Sequence, residues 1–137
     1  MNEKTFSWPI RVYYESTDAG GVVYHAEYLK FFERARTEWL RHLGLEQTEL
    51  RERDDVIFVV RAMQIQYRLP ARFNDLLQVI SCLKSMGRSR FVFEQCLWRG
   101  DEILNQATVE VACVSAGAFR PVALPLRIRQ HFEKVLT

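Results

Sequence analysis

The chain has 137 residues, 48% of them hydrophobic and 26% charged, with a net charge of +2. That describes one ordinary globular domain, residues 1–137, long enough to bury a core without staples. So small a net charge excludes nucleic-acid binding by bulk charge, and no apolar run has the length of a membrane span.

Met1–Arg11 has no apolar stretch of the kind found in a secretory leader. Trp8–Tyr14 is an apolar run of strand character and leads to "DAGGVVYH", Asp18–His25. There an acid and a Gly pair stand directly ahead of a helical pattern. From His25 to Leu43, Tyr28, Phe32, Ala35, Trp39 and Leu43 recur at helical steps, and Leu29, Phe31 and Leu40 broaden the stripe. Gly44 follows as a stop. Arg34, Glu38 and His42 are spaced four apart and predict surface pairs, Arg34 with Glu38 and Glu38 with His42.

Beyond the helix the period changes to two. Met63, Ile65, Tyr67 and Leu69 alternate with polar residues and predict a half-buried strand. Leu76–Met86 predicts a second strand, ended by Gly87, and Phe91–Trp98 a third. "RGDE", Arg99–Glu102, is a hairpin turn into a fourth strand, Ile103–Ser115. A short helix near Pro125–Leu136 closes the chain. An antiparallel sheet with one buried face must be covered, and the long apolar helix is the cover. The expected class is α+β, with the sheet wrapped around one long central α-helix.

Cys82, Cys96 and Cys113 are odd in number and widely spaced, with no His at ligand spacing. They read as buried free thiols of a reducing cytoplasm, and no metal site is expected.

The chemistry concentrates at the helix start. Leading N–H groups of a helix need partners, yet Gly20–Ala26 contains no Ser, Thr, Asp or Asn to cap them. Free donors and a positive dipole end make a site for an oxyanion. Gly20 and Gly21 allow close backbone approach, and Asp18 stands just upstream. A carboxylate beside preorganised donors suits a thioester, whose thiol, with a pKa near ~8.5, leaves without a strong acid. An ordinary Asp-Gly turn and a plain helix-start histidine explain the same residues.

"RVYYESTDAGGVVYHAEYLKFFERARTEWL", Arg11–Leu40, resembles the signature of the YbgC-type acyl-CoA thioesterases. These belong to the 4-hydroxybenzoyl-CoA thioesterase branch of the hotdog-fold superfamily. The resemblance continues through Phe58–Val79 and "RPVALP", Arg120–Pro125. It implies a hotdog fold and hydrolysis of acyl-CoA to free acid and CoA. It also implies homodimers, often paired into homotetramers, with active sites at the dimer interface. Asp18 matches the family's catalytic carboxylate, as nucleophile or general base. Tyr24 and His25 match positions that line the site, Gly20 and Gly21 lie beside them, and Glu33 matches an acidic position expected to pair with a nearby Arg. The resemblance to the broader branch puts nucleotide contacts at Arg88, Ser89 and Arg90, and Val59, Val60 and Arg61 are candidates for the pantetheine arm. Ser16 departs from the acidic residue that many relatives carry. No cofactor is implied beyond the CoA of the substrate, and an acyl carrier protein is the other carrier.

Two other readings stand beside this one. A hotdog dehydratase would use an acid and a histidine across the interface, as His25 and Glu33 could imitate. A weakly catalytic adaptor of the Tol–Pal envelope system follows from the family's association with it, since a fold does not prove a function.

Overall fold

The computed structural model describes residues 4–137. Met1, Asn2 and Glu3, the first part of the stretch read for a leader, lie outside the described residues. The elements are β1 (Thr5–Arg11), α1 (Glu27–His42), α2 (Gln47–Asp54), β2 (Val56–Tyr67), β3 (Leu76–Met86), β4 (Arg90–Arg99), β5 (Glu102–Ser115) and α3 (Leu126–Val135). The strands form one antiparallel sheet in the order β1-β3-β4-β5-β2. The architecture is the expected α+β arrangement, with α1 on the inner face of the sheet.

Alternation decides which residues meet the helix. Leu77, Val79 and Leu83 of β3, Phe91, Phe93 and Leu97 of β4, and Val109, Val111 and Cys113 of β5 are buried. Opposite them α1 buries Phe31, Phe32, Ala35 and Trp39, and Trp39 lies 5.8 Å from Phe93 between ring centroids. α3 closes one end, where Phe132 packs 4.8 Å from Phe91. One polar cluster crosses this core. Gln95 donates through Nε2 to the Phe32 carbonyl at 3.0 Å and to the Ser81 hydroxyl at 2.9 Å. Its Oε1 accepts from Arg36 Nη1 at 3.0 Å. The cluster ties α1 to β3 and β4, with every polar atom of Gln95 facing a partner.

Several boundaries differ from expectation. The first strand ends at Arg11, not Tyr14, because Val12 already exchanges backbone bonds with the loop at Asn74 and Asp75. Tyr13 and Tyr14 are exposed, and Tyr14–Ser16 is a short 3-10 turn. α2 had no periodic signal: of QTELRERD only Leu50 is buried. β2 begins at Val56 rather than Met63, with a bulge between Val60 and Ala62. The expected surface pairs are replaced. Glu38 binds Arg41 at 2.8 Å, Arg34 lies over the Phe31 ring at 5.9 Å, and His42 packs on Phe6. All three cysteines are free, but only Cys113 is buried, and Cys82 and Cys96 are half-buried. Burial pushes the Cys113 thiol up to about 11.

Candidate active site

The site begins with a tight hairpin. The Asp18 N–H donates to the Val22 carbonyl at 2.9 Å, and the Gly21 N–H returns to the Asp18 carbonyl at 3.0 Å. Gly21 turns the chain at φ +78, a conformation that disfavours any side chain. The Gly20 N–H donates to Asp18 Oδ1 at 2.8 Å. A Cβ at Gly20 would stand 3.2 Å from that same oxygen, so the bare backbone at Gly20 admits the carboxylate. Oδ2 accepts no hydrogen bond among the described residues, and Asp18 is exposed.

The returning strand carries the chain to the helix. Thr17 bridges Val23, the Tyr24 N–H donates to the Ser16 carbonyl, and the Val23 N–H donates to Ala71. A turn follows, closed by the Glu27 N–H on the Tyr24 carbonyl at 2.8 Å. His25 and Ala26 are its central residues, and their N–H groups meet no acceptor among the described residues. Ala26 offers no side-chain cap. Glu27, the one acid of the first turn, does not fill the gap. Its carboxylate binds Lys30 at 2.9 Å, and that hydrogen bond holds its carboxyl below the usual range. Tyr67 fixes the turn from β2, its hydroxyl donating to the His25 carbonyl at 2.9 Å. The Tyr24 and His25 rings lie 4.4 Å apart.

The structure thus gathers Asp18, Gly20, Gly21, Tyr24 and His25 at one end of the sheet, beside two open backbone donors. It does not bring the other candidates there within one chain. Arg88, Ser89 and Arg90 occupy the turn after β3, whereas the loop that meets the Asp18 hairpin precedes it. The length of β3 separates them by about 30 Å. Arg129 of α3 binds the Gly87 and Arg88 carbonyls there. Val59 and Val60 lie on β2 about 20 Å from Tyr67 along the strand. Arg61 and Arg90 both pair with Glu110, at 3.5 and 3.4 Å. Glu33 makes no ion pair with an Arg among the described residues and acts on Arg36 only through its field. Within one chain His25 and Glu33 lie about 12 Å apart along the helix, so a dehydratase pairing of the two would have to form between chains. Tyr67 had no signal as a site residue, because it belongs to an ordinary alternating strand. No group of three or more His, Cys, Asp or Glu among the described residues could hold a metal. No helix among them is long and apolar enough to cross a membrane.

Comparison with known proteins gives a consistent set. The sequence profile described as "Thioesterase superfamily" matches residues 20–105. The chain is 48% identical over 133 residues to the acyl-CoA thioesterase YbgC of Haemophilus influenzae, covering 97% of this chain and 98% of that one. It is 47% identical over 135 residues to the acyl-CoA thioester hydrolase YbgC of Escherichia coli O157:H7, covering 98% and 100%. The crystal structure of a probable thioesterase from Bartonella henselae superposes with a TM-score of 0.84 at 38% identity, covering 88% of this chain and 99% of that one.

Proposed function

The chain belongs to the thioesterase superfamily, and from that premise we propose that it hydrolyses acyl-CoA thioesters with Asp18 as the reacting carboxylate. One observation carries the mechanism: the open N–H groups of His25 and Ala26 stand at the end of the hairpin that presents Asp18. The thioester carbonyl oxygen sits against those donors, which hold the charge that develops as the carbonyl is attacked. Oδ2 of Asp18 is the free oxygen. As a nucleophile it forms a bond to the acyl carbon, the C–S bond breaks and CoA leaves as thiolate; water then opens the anhydride and restores the carboxylate. As a base it takes a proton from the attacking water, and the same bond breaks. Neither route needs a cofactor. Three free thiols support a reducing, cytoplasmic setting.

The site needs a second copy of the chain. β2 is a sheet edge twelve residues long with half-buried and exposed apolar residues on its inner side. Antiparallel pairing of β2 with itself about Gln64 sets Met63 opposite Ile65. The bulge at Arg61 absorbs one residue, so Val60 of one copy falls opposite Tyr67 of the other. The two are 51% and 50% exposed in the single chain, and each would cover the other. This arrangement carries Val59–Arg61, and the basic turn behind them, to the other copy's Asp18 hairpin. Pairing of dimers into a homotetramer, as the family implies, extends the same reading.

Thiol release from short, long and aromatic acyl-CoAs tests the activity, and its absence from every thioester would overturn it. For the assembly, wild type should sediment at about twice 16.2 kDa or a multiple of that. Gln64→Lys puts like charges opposite each other at the two-fold and should raise the dissociation constant several-fold, with activity following the dimer fraction. A fully active single chain would refute the shared site.

A further inference from the structure

The side of α1 toward β2 buries a cation that forms no ion pair among the described residues. Arg36 is 7% exposed, and its side chain has one hydrogen bond, to Gln95, among the described residues. No carboxylate among them comes within ion-pair distance. Burial pulls the guanidinium down to about 10, against the opposing field of Glu33. An uncompensated buried charge is costly, and the fork of a guanidinium is shaped for an oxygen acceptor.

What Arg36 faces is a cleft between α1 and the sheet. Its volume is about 150 Å³, and Phe58, Val60, Phe91 and Phe93 line it, with Glu33 and Arg36 on the helix side. A cavity of that order takes a benzene-sized guest, so about six carbons fill it. On the β2 pairing above, Val60 at the edge of the cleft stands opposite the other copy's Tyr67, whose hydroxyl holds the His25 carbonyl. The cleft of one chain then opens toward the helix start of the other, at least one cross-strand spacing, ~5 Å, away.

We propose that this cleft receives the far end of the acyl group and that Arg36 selects acyl groups with about six carbons in the cleft, about ten in all, ending in an oxygen acceptor, a carboxylate or a hydroxyl. The apolar sheet side takes the methylene chain, and Arg36 donates to the terminal oxygen. Gln95 is the positioning residue: locked by Phe32 and Ser81, it aims the guanidinium. The proposal rests on the thioesterase reading and the shared site.

The test compares kcat/KM for sebacoyl-, 10-hydroxydecanoyl- and decanoyl-CoA. Wild type should favour an oxygen-terminated substrate over decanoyl-CoA by about tenfold, the worth of one charge-assisted hydrogen bond. Sebacoyl-CoA ranking first assigns an anionic end; 10-hydroxydecanoyl-CoA ranking first assigns a neutral one. Arg36→Met should abolish the preference, and Arg36→Lys should restore part of it. A wild-type preference within threefold, or one that survives Arg36→Met, overturns the subsite and leaves the thioesterase standing. Release from none of the three, nor from any other acyl-CoA, overturns both. Should Arg36→Met fail to fold, Val60→Phe narrows the cleft from its edge, with sedimentation confirming that the pairing of chains is kept. It should lower the sebacoyl to acetyl ratio of kcat/KM about tenfold, and an unchanged ratio overturns the subsite.

Discussion

Asp18→Asn removes turnover and leaves the fold standing. We expect kcat to fall by about 10²- to 10⁴-fold, the range for loss of a positioned acid-base group, or further if the carboxylate is the nucleophile. The hairpin gives the reason for an intact fold. An asparagine carbonyl still accepts from the Gly20 N–H, and the turn around Gly21 is made by backbone. The melting temperature should therefore stay within a few degrees and KM should change little. Unchanged kcat would remove Asp18 from the mechanism. The wild-type enzyme separates the two chemical routes. Repeated turnover in heavy-oxygen water labels the Asp18 carboxylate if an anhydride forms and opens at the aspartyl carbonyl. General-base catalysis labels the product acid alone.

Phe32→Ala should be the most damaging single change to stability. Phe32 is fully buried on α1, and its carbonyl accepts from Gln95. Removing a buried phenylalanine ring costs about 3–5 kcal/mol, and more where the surroundings cannot collapse. Denaturant titration should read a loss in that range with an unchanged m-value. A loss under about 1 kcal/mol would mean that the helix does not depend on this contact.

The sequence makes some of this architecture legible and hides the rest for identifiable reasons. The steps from Tyr28 to Leu43 define α1 because its buried stripe runs almost its whole length. Leu76–Met86 matches β3 at both ends because Gly87 and the loop before Leu76 punctuate it. α2 stays hidden because a helix held by one buried leucine has no stripe to read. β2 is found only from Met63 onward. Before the bulge its inner residues are Phe58 and Val60; after it they are Met63 and Ile65, so the alternation changes phase at Arg61. The Asp18 end of the site is legible because a turn brings its parts together within eight residues. The candidates at Val59–Arg61 and Arg88–Arg90 are remote from it in the same chain. On the proposed pairing of β2 a second copy supplies them, and spacing along one sequence carries no sign of that.

The phase change at Arg61 separates the length of the strand from its facing. Val60 pairs with Val111 and Ala62 with Glu110, consecutive partners on β5. Excising Arg61 would close the ladder into regular pairing and turn no side chain over. The inner or outer facing of every other residue on β2 therefore survives loss of this one, while the local bend and twist that a bulge adds to a strand do not. Such a deletion would subtract the guanidinium that pairs with Glu110 while every core residue kept its address, so length and charge on β2 can change without turning the core face outward.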